Sequence, residues 1–246
     1  MTDLALDAAA APGGTDSSRR TARIAGLLFI ATFVTSIPAL LLYDPVLNDA
    51  GYIVGSGNDA QIQLGALLEI LLAIANIGTA VVLYPILKRQ SQALSLGFVA
   101  SRIVESTFIV VGVISLLSVL TLRQDLSASV GMAASALDVT GRALVSLHDW
   151  TFLIGPGFCV AVGNGMILGY LMYRSGLVPR GMAMLGLVGG PLIFVSSVAI
   201  LFGAYEQTGT AAFLLSIPEI AWEASLAYYL TFRGFKASSP LLAREG

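Results

Sequence analysis

Residues 61–87 read QIQLGALLEILLAIANIGTAVVLYPIL, a run of 27 positions in which Glu69 is the sole charge. At about 1.5 Å of rise per residue, a helix of this length exceeds the roughly 30 Å hydrocarbon layer of a bilayer. The run therefore reads as a membrane-spanning helix. Five further apolar runs follow the same rule, at residues 23–43, 94–122, 145–173, 182–204 and 211–232. Composition agrees: the chain is 56% hydrophobic and only 11% charged, with a mean hydropathy of +0.84. Soluble domains carry about 25% charged residues. The fold class expected is all-α: a polytopic membrane protein, a six-transmembrane-helix bundle whose partner is the lipid bilayer. Asp44-Pro45, Gly51, Gly55 and Gly57 mark a turn after the first run, and Ser175-Gly176 with Pro179 marks one after the fourth.

Orientation follows from the cations. Alternating by loop, Arg19, Arg20, Arg23, Lys88, Arg89, Arg174, Arg180, Arg233, Lys236 and Arg244 fall on one side, and only Arg123 and Arg142 on the other. Lys and Arg concentrate on the cytoplasmic side of membrane proteins, so both termini are expected to be cytoplasmic. Residues 1–20 read as a disordered cytoplasmic tail, 21–236 as the transmembrane domain and 237–246 as a second cytoplasmic tail. Ser18-Arg19-Arg20 loosely resembles a twin-arginine signal. The apolar run that follows is too long for a signal peptide and no cleavage site of small residues ends it, so it reads as the first span.

Several function classes lose support from counting. Cys159 is the only cysteine and His148 the only histidine. An internal disulfide, a haem held by two histidines and a zinc site of several His or Cys ligands are excluded, and no cofactor is expected. No basic block with interleaved aromatics speaks for nucleic acid. Neither Gly-x-Ser-x-Gly nor His-Glu-x-x-His occurs, so an enzyme is not expected, and an intramembrane enzyme acting on lipid is a weak third reading.

The informative residues are ionisable ones inside the apolar runs: Glu69, Arg102, Glu105, Glu219 and Glu223. A charge at the bilayer centre costs about 2.5–3.5 kcal/mol on insertion scales. Rise per residue places Asn76, Glu105, Asn164, Glu219 and Glu223 near the midplane, Glu69 outward of it and Arg102 toward the cytoplasm. Glu69 and Asn76 share a helix face with Gly65, Ala73 and Ala80. Arg102 and Glu105 are an i,i+3 pair, and Glu219 and Glu223 an i,i+4 pair. Each charged stripe is also a small-residue stripe, the face expected to turn into the bundle. Glu69, Asn76, Arg102, Glu105, Asn164, Glu219 and Glu223 form the candidate intramembrane polar site; His148 and Asp149, beside the interfacial anchor Trp150, form a candidate outer mouth.

Charge arithmetic then sets the chemistry. Arg102 stays protonated and can neutralise one carboxylate, most simply Glu105 or Glu223. At least one of Glu69, Glu219 and Glu223 is expected to be protonated or to share a small cation, the alternative being protonated Glu and Asn that serve only as hydrogen-bond glue between helices. Gly155-Pro156-Gly157 is the most disruptive point of the fourth run, where a break at membrane depth is most expected. The remaining glycines read as close helix packing.

The strings LLEILLAIANIGTAV (67–81), ASRIVES (100–106), LHDWTFLIGPGF (147–158), YLMYRSGLVPR (170–180), LGLVGGPL (185–192) and AWEASLAYYLTFRGFK (221–236) resemble an uncharacterised bacterial membrane family, catalogued as domain of unknown function 4386. The resemblance covers about residues 20–236. It implies a multi-span integral membrane protein and carries no established activity, substrate or site residue. Two functions stay open: a proton- or cation-responsive, transporter-like protein using the buried carboxylates, and a non-transporting protein, such as a partner-binding or envelope component, whose polar network only fixes helix register.

Overall fold

The computed structural model describes residues 13–49, 52–53, 57–128 and 134–242. Gly51, Gly55, Arg244 and the outer parts of the two expected tails lie outside the described residues. Among those described there are seven helices. They are α1 (Gly13–Leu42), the short α2 (Asp44–Asn48), α3 (Asp59–Leu87), α4 (Gln92–Ala128), α5 (Ala134–Ser175), α6 (Arg180–Leu201) and α7 (Thr210–Phe232). α5 is continuous but changes winding. It is an α-helix over Ala134–Phe152, a π-helix over Leu153–Cys159 and Ala161–Leu168, and an α-helix again over Gly169–Ser175. Pro156, which has no N–H to donate, sits in the first wide stretch, so the expected break is absorbed as extra residues per turn rather than as an interruption.

Among the described residues five helical segments are long and apolar enough to cross a membrane: Asp16–Leu42, Asp59–Leu87, Gln92–Asp125, Ala136–Ser175 and Arg180–Leu201. The expected count of six is corrected at α7, which falls outside this group although it has 23 residues. Glu219 and Glu223, with Pro218 and two serines, dilute its apolar character.

The six long helices close into a ring. α1 packs on α3, α3 on α4, α4 on α5, α5 on α6, α6 on α7, and α7 returns to α1. The outer surface is apolar: Val34, Ile74 and Val195 are more than 60% exposed. The charges are inside, with Arg102 and Glu219 each only 2% exposed. Such a surface suits lipid and not water; the fold is an all-α, polytopic membrane fold.

Glycines set how closely the ring closes. A Cβ on Gly165 of α5 would stand 2.4 Å from the Cα of Gly190, and one on Gly189 of α6 would stand 2.6 Å from the backbone nitrogen of Glu219. α6 thus presents Gly190 to the backbone of α5, Gly189 to the backbone of α7 and Gly186 to the Trp222 ring of α7, so both neighbours approach to backbone contact. That approach brings Asn164 and Glu219 side by side.

The end of the ring holding both termini is filled with hydrocarbon. Ala22, Ala25 and Phe29 of α1 meet Leu83 and Leu87 of α3, Leu168 and Leu171 of α5, and Trp222, Leu226 and Leu230 of α7. Helix ends here use glycine: Gly176 (φ 63°) ends α5 and Gly234 (φ 75°) turns the chain after α7. The described part of the second expected tail is docked rather than loose. Lys236 N–H donates to Leu177 O at 2.8 Å and the Ser239 hydroxyl to Ser175 O at 2.8 Å, while Leu241 is buried. The first expected tail is likewise helical from Gly13, because α1 begins well before its apolar run.

At the opposite end Tyr43, Val46, Ile62, Leu116, Val119 and Leu137 form a second core. Arg123 pairs with Asp59 and donates to Gly57 O at 2.7 Å, with its guanidinium 4.8 Å from the centre of the Tyr52 ring. Burial pushes the Tyr52 phenol up from its ordinary value, and Arg123 opposes that push.

Candidate functional site

The ring interior holds one connected polar network from four helices. Arg102 and Glu105, one turn apart on α4, meet as the sequence spacing expects: Arg102 Nη1 lies 2.9 Å from Glu105 Oε2 and 3.1 Å from Oε1. Asn76 of α3 donates from Nδ2 to Glu105 Oε1 at 2.9 Å, and its Oδ1 accepts from Arg102 at 3.4 Å. The other guanidinium nitrogen faces α7, with Nη2 3.6 Å from Glu223 Oε1. Arg102 therefore serves both of the partners that charge arithmetic allowed. Phe29 of α1 and Phe98 of α4 flank it, with ring centres 5.7 and 5.8 Å from its Cζ.

Asn164 of α5 joins the other half. Its Nδ2 donates to Glu223 Oε1 and, at 3.3 Å, to Glu219 Oε1. Its backbone carbonyl, within the π-helical stretch, accepts the Trp222 indole N–H at 3.2 Å. Trp222, fully buried beside Glu223, is a network residue that sequence spacing did not single out. Its apolar bulk reads as core, and only the partner carbonyl on another helix reveals a polar role.

The two halves differ in satisfaction. Around Glu105 every carboxylate oxygen has a donor, and the Arg102 and Glu105 side chains are 2% and 4% exposed. Around Glu219 the accounting fails. Glu219 Oε2 and Asn164 Oδ1 are buried with no hydrogen-bond partner, and on the Glu105 side only Arg102 Nε shares that state. Glu219 Oε2 points into the glycine crossing, 2.8 Å from where a Cβ on Gly165 would stand and 2.7 Å from one on Gly189. Glu223 keeps 20% of its side chain exposed, which makes it the open edge of the network. Buried polar groups in native proteins are nearly always bonded, so such a cluster calls for an explanation.

Glu69 and His148 belong elsewhere. The sequence grouping of Glu69 with the central site is corrected: on α3 it sits two turns before Asn76 and faces Tyr43 and His148 instead. The outer-mouth pair is also split. His148 is 5% exposed and turned inward, while the Asp149 side chain is 63% exposed, with 3.6 Å between His148 Nδ1 and Asp149 Oδ1. Adjacent helical residues lie about 100° apart, so both cannot face one site. Among the described residues no group of three or more His, Cys, Asp or Glu side chains is arranged to hold a metal ion.

No curated protein and no solved structure matches the chain. A family model described as Domain of unknown function (DUF4386) matches residues 24–234. That span takes in α1 from residue 24, the other five long helices whole and every residue of the polar network, and the chain belongs to this family.

Proposed function

We propose that the protein is a proton-responsive, transporter-like membrane protein of the bacterial cytoplasmic membrane, with Glu219 and Glu223 as its protonatable pair. The observation that carries this reading is the shortage of donors around Glu219. The network has three carboxylates and one guanidinium, which pairs with Glu105 and Glu223 only, and both Glu219 Oε2 and Asn164 Oδ1 lack a donor. One proton on Glu219 supplies a donor where there was none and removes the one carboxylate charge that makes no ion pair with Arg102, which lowers the surplus from two negative charges to one. Glu223 is placed to exchange that proton: it shares the Asn164 amide with Glu219, faces Arg102, and lies at the open edge. Arg102 then competes with the proton for Glu223. Asn76, Glu105 and the flanking phenylalanines are the rigid scaffold that holds the guanidinium.

In this reading α7 is a sixth span. Its 23 residues reach about 34 Å, and its glutamates are sheltered by α5 and α6 rather than set against lipid. Both termini lie in the cytoplasm. Single-cysteine labelling in a Cys159→Ala background tests this: Asn58→Cys reacts with an impermeant reagent from outside and Gln92→Cys does not. The reverse pattern overturns the orientation.

The function is tested with purified wild-type, Glu219→Gln and Glu223→Gln proteins in liposomes carrying a pH dye. Proton flux in the wild type that both variants lose, with their thermal stability kept, supports the reading. A wild type without flux under an imposed pH gradient and membrane potential, and a Glu223→Gln variant that melts early, refutes it in favour of a network that only fixes helix register.

A further inference from the structure

A second cluster of buried polar groups lies nearer the end of the ring opposite the termini. Tyr43 (1% exposed) follows the last turn of α1, Glu69 (7%) is on α3 and His148 (5%) on α5. Two glycines make the room. A Cβ on Gly65 would stand 2.7 Å from Tyr43 Cε1, so the phenol lies flat against α3, and Glu69 is the next residue along that face. A Cβ on Gly112 would stand 3.2 Å from His148 Cδ2, so α4 opens a seat for the imidazole. The two rings meet edge to face, with centres 5.9 Å apart, and Phe152 stacks on the far side of the imidazole at 6.3 Å.

Yet the polar atoms are not paired off. His148 Nδ1 is buried without a hydrogen-bond partner, and both the imidazole and the buried Tyr43 hydroxyl lie within electrostatic reach of the Glu69 carboxylate. Every charged group facing the imidazole is accounted for. α3 offers Glu69, the α1 end offers Tyr43, its own helix offers the outward-turned Asp149, and α4 offers Gly112 with no charge. Among the described residues the site thus holds one buried carboxylate, Glu69, one imidazole and no permanent cation, with the exposed Asp149 carboxylate at its rim 3.6 Å from His148 Nδ1.

We propose that Tyr43, Glu69 and His148 form a second proton-binding site, in which Glu69 and His148 share one proton and Tyr43 steadies the carboxylate. With the proton on the ring, the site is an imidazolium–carboxylate pair; with it on Glu69, both groups are neutral. Either state balances the charge that an ionised Glu69 beside a neutral ring leaves bare. The site extends the proton-carrying reading above by adding a station between the central network and the far face. Its test measures ring protonation and not flux, so the two can fail separately.

His148 is the only histidine, so a ¹⁵N-histidine label reports this site alone. Full-length protein in lipid nanodiscs is scanned by NMR for the imidazolium signal from about pH 5 to 8. In Glu69→Gln the imidazolium population at a given pH falls about tenfold or more, as loss of a close opposite charge requires. In Asp149→Asn and Glu219→Gln it stays near the wild-type level. An imidazole that is neutral throughout in the wild type, a Glu69→Gln profile equal to the wild type, or an equal loss in Asp149→Asn overturns the proposal. Should Glu69→Gln not fold, ¹³C-carboxyl glutamate to ¹⁵N-imidazole dephasing in the wild type reads the same contact. Glu69 is the glutamate of the cluster, and absence of dephasing overturns the proposal.

Discussion

Replacing Arg102 with methionine tests the central network most sharply, because the network has three carboxylates and one guanidinium. Methionine keeps the volume and the apolar stem against Phe29 and Phe98 but removes the charge. Glu105 then loses contacts at 2.9 and 3.1 Å and Glu223 its partner at 3.6 Å. Breaking a buried pair by removing one member costs about 3–5 kcal/mol, since the other charge stays behind. Glu105→Gln is a milder change. Arg102 keeps Glu223, and the amide that replaces the carboxylate still accepts from Asn76, so the expected cost is about 1–3 kcal/mol. The Arg102→Met, Glu105→Gln double variant should be less stable than wild type by less than the sum of the singles, because one of the stranded carboxylates is gone. Reversible unfolding in mixed micelles measures all three, and the Arg102→Met deficit should shrink at acid pH, where protonation removes the buried charge. Equal costs for the two single variants, or a deficit that does not respond to pH, would refute the asymmetric charge count.

The glycine crossing gives a contrast within one helix. Gly189→Ala and Gly190→Ala should each cost about 1–3 kcal/mol, because the added methyl meets backbone on α7 or α5, whereas Gly181→Ala, with nothing within 4 Å, should be neutral to slightly stabilising in the same unfolding assay. Trp222→Phe removes the donor to Asn164 O and should cost about 1–3 kcal/mol; an unchanged unfolding midpoint would show that this hydrogen bond is dispensable. Ser239→Ala loses the bond to Ser175 O and should cost about 1 kcal/mol, with faster proteolysis of residues 235–242 as the check on whether the segment is docked.

Much of the site was legible because helical periodicity is a local property. Spacing put Arg102 with Glu105, and Glu219 with Glu223, on single helix faces, and the structure keeps both pairs on the network. Asn76 also arrives where its small-residue face pointed, and Asn164 at the midplane depth that rise per residue gives it. Periodicity cannot say which faces meet across the ring, and that is where the reading erred. Glu69 shares a face with Asn76, yet two turns of helix carry it to a different neighbour, Tyr43, whose position depends on how α1 ends. Depth alone groups His148 with Asp149 at the outer end of the fourth run, and helical spacing already turns the two side chains apart, as the structure has them. Trp222 and Tyr43 gave no signal, because an aromatic residue in an apolar run reads as core.

The sequence by itself determined the class of fold, since a backbone in hydrocarbon must satisfy its own hydrogen bonds and long apolar runs can do so only as helices. It also determined that the chain carries more buried carboxylate than buried cation. Only the tertiary structure decided which carboxylates are paired. Glycines on α6 let α5 and α7 close to backbone contact, and this places Glu219 Oε2 in a crossing with no donor while Glu105 sits against Arg102. Pairing depends on distances of a few ångströms between helices far apart in the chain, and no pattern within one helix encodes them.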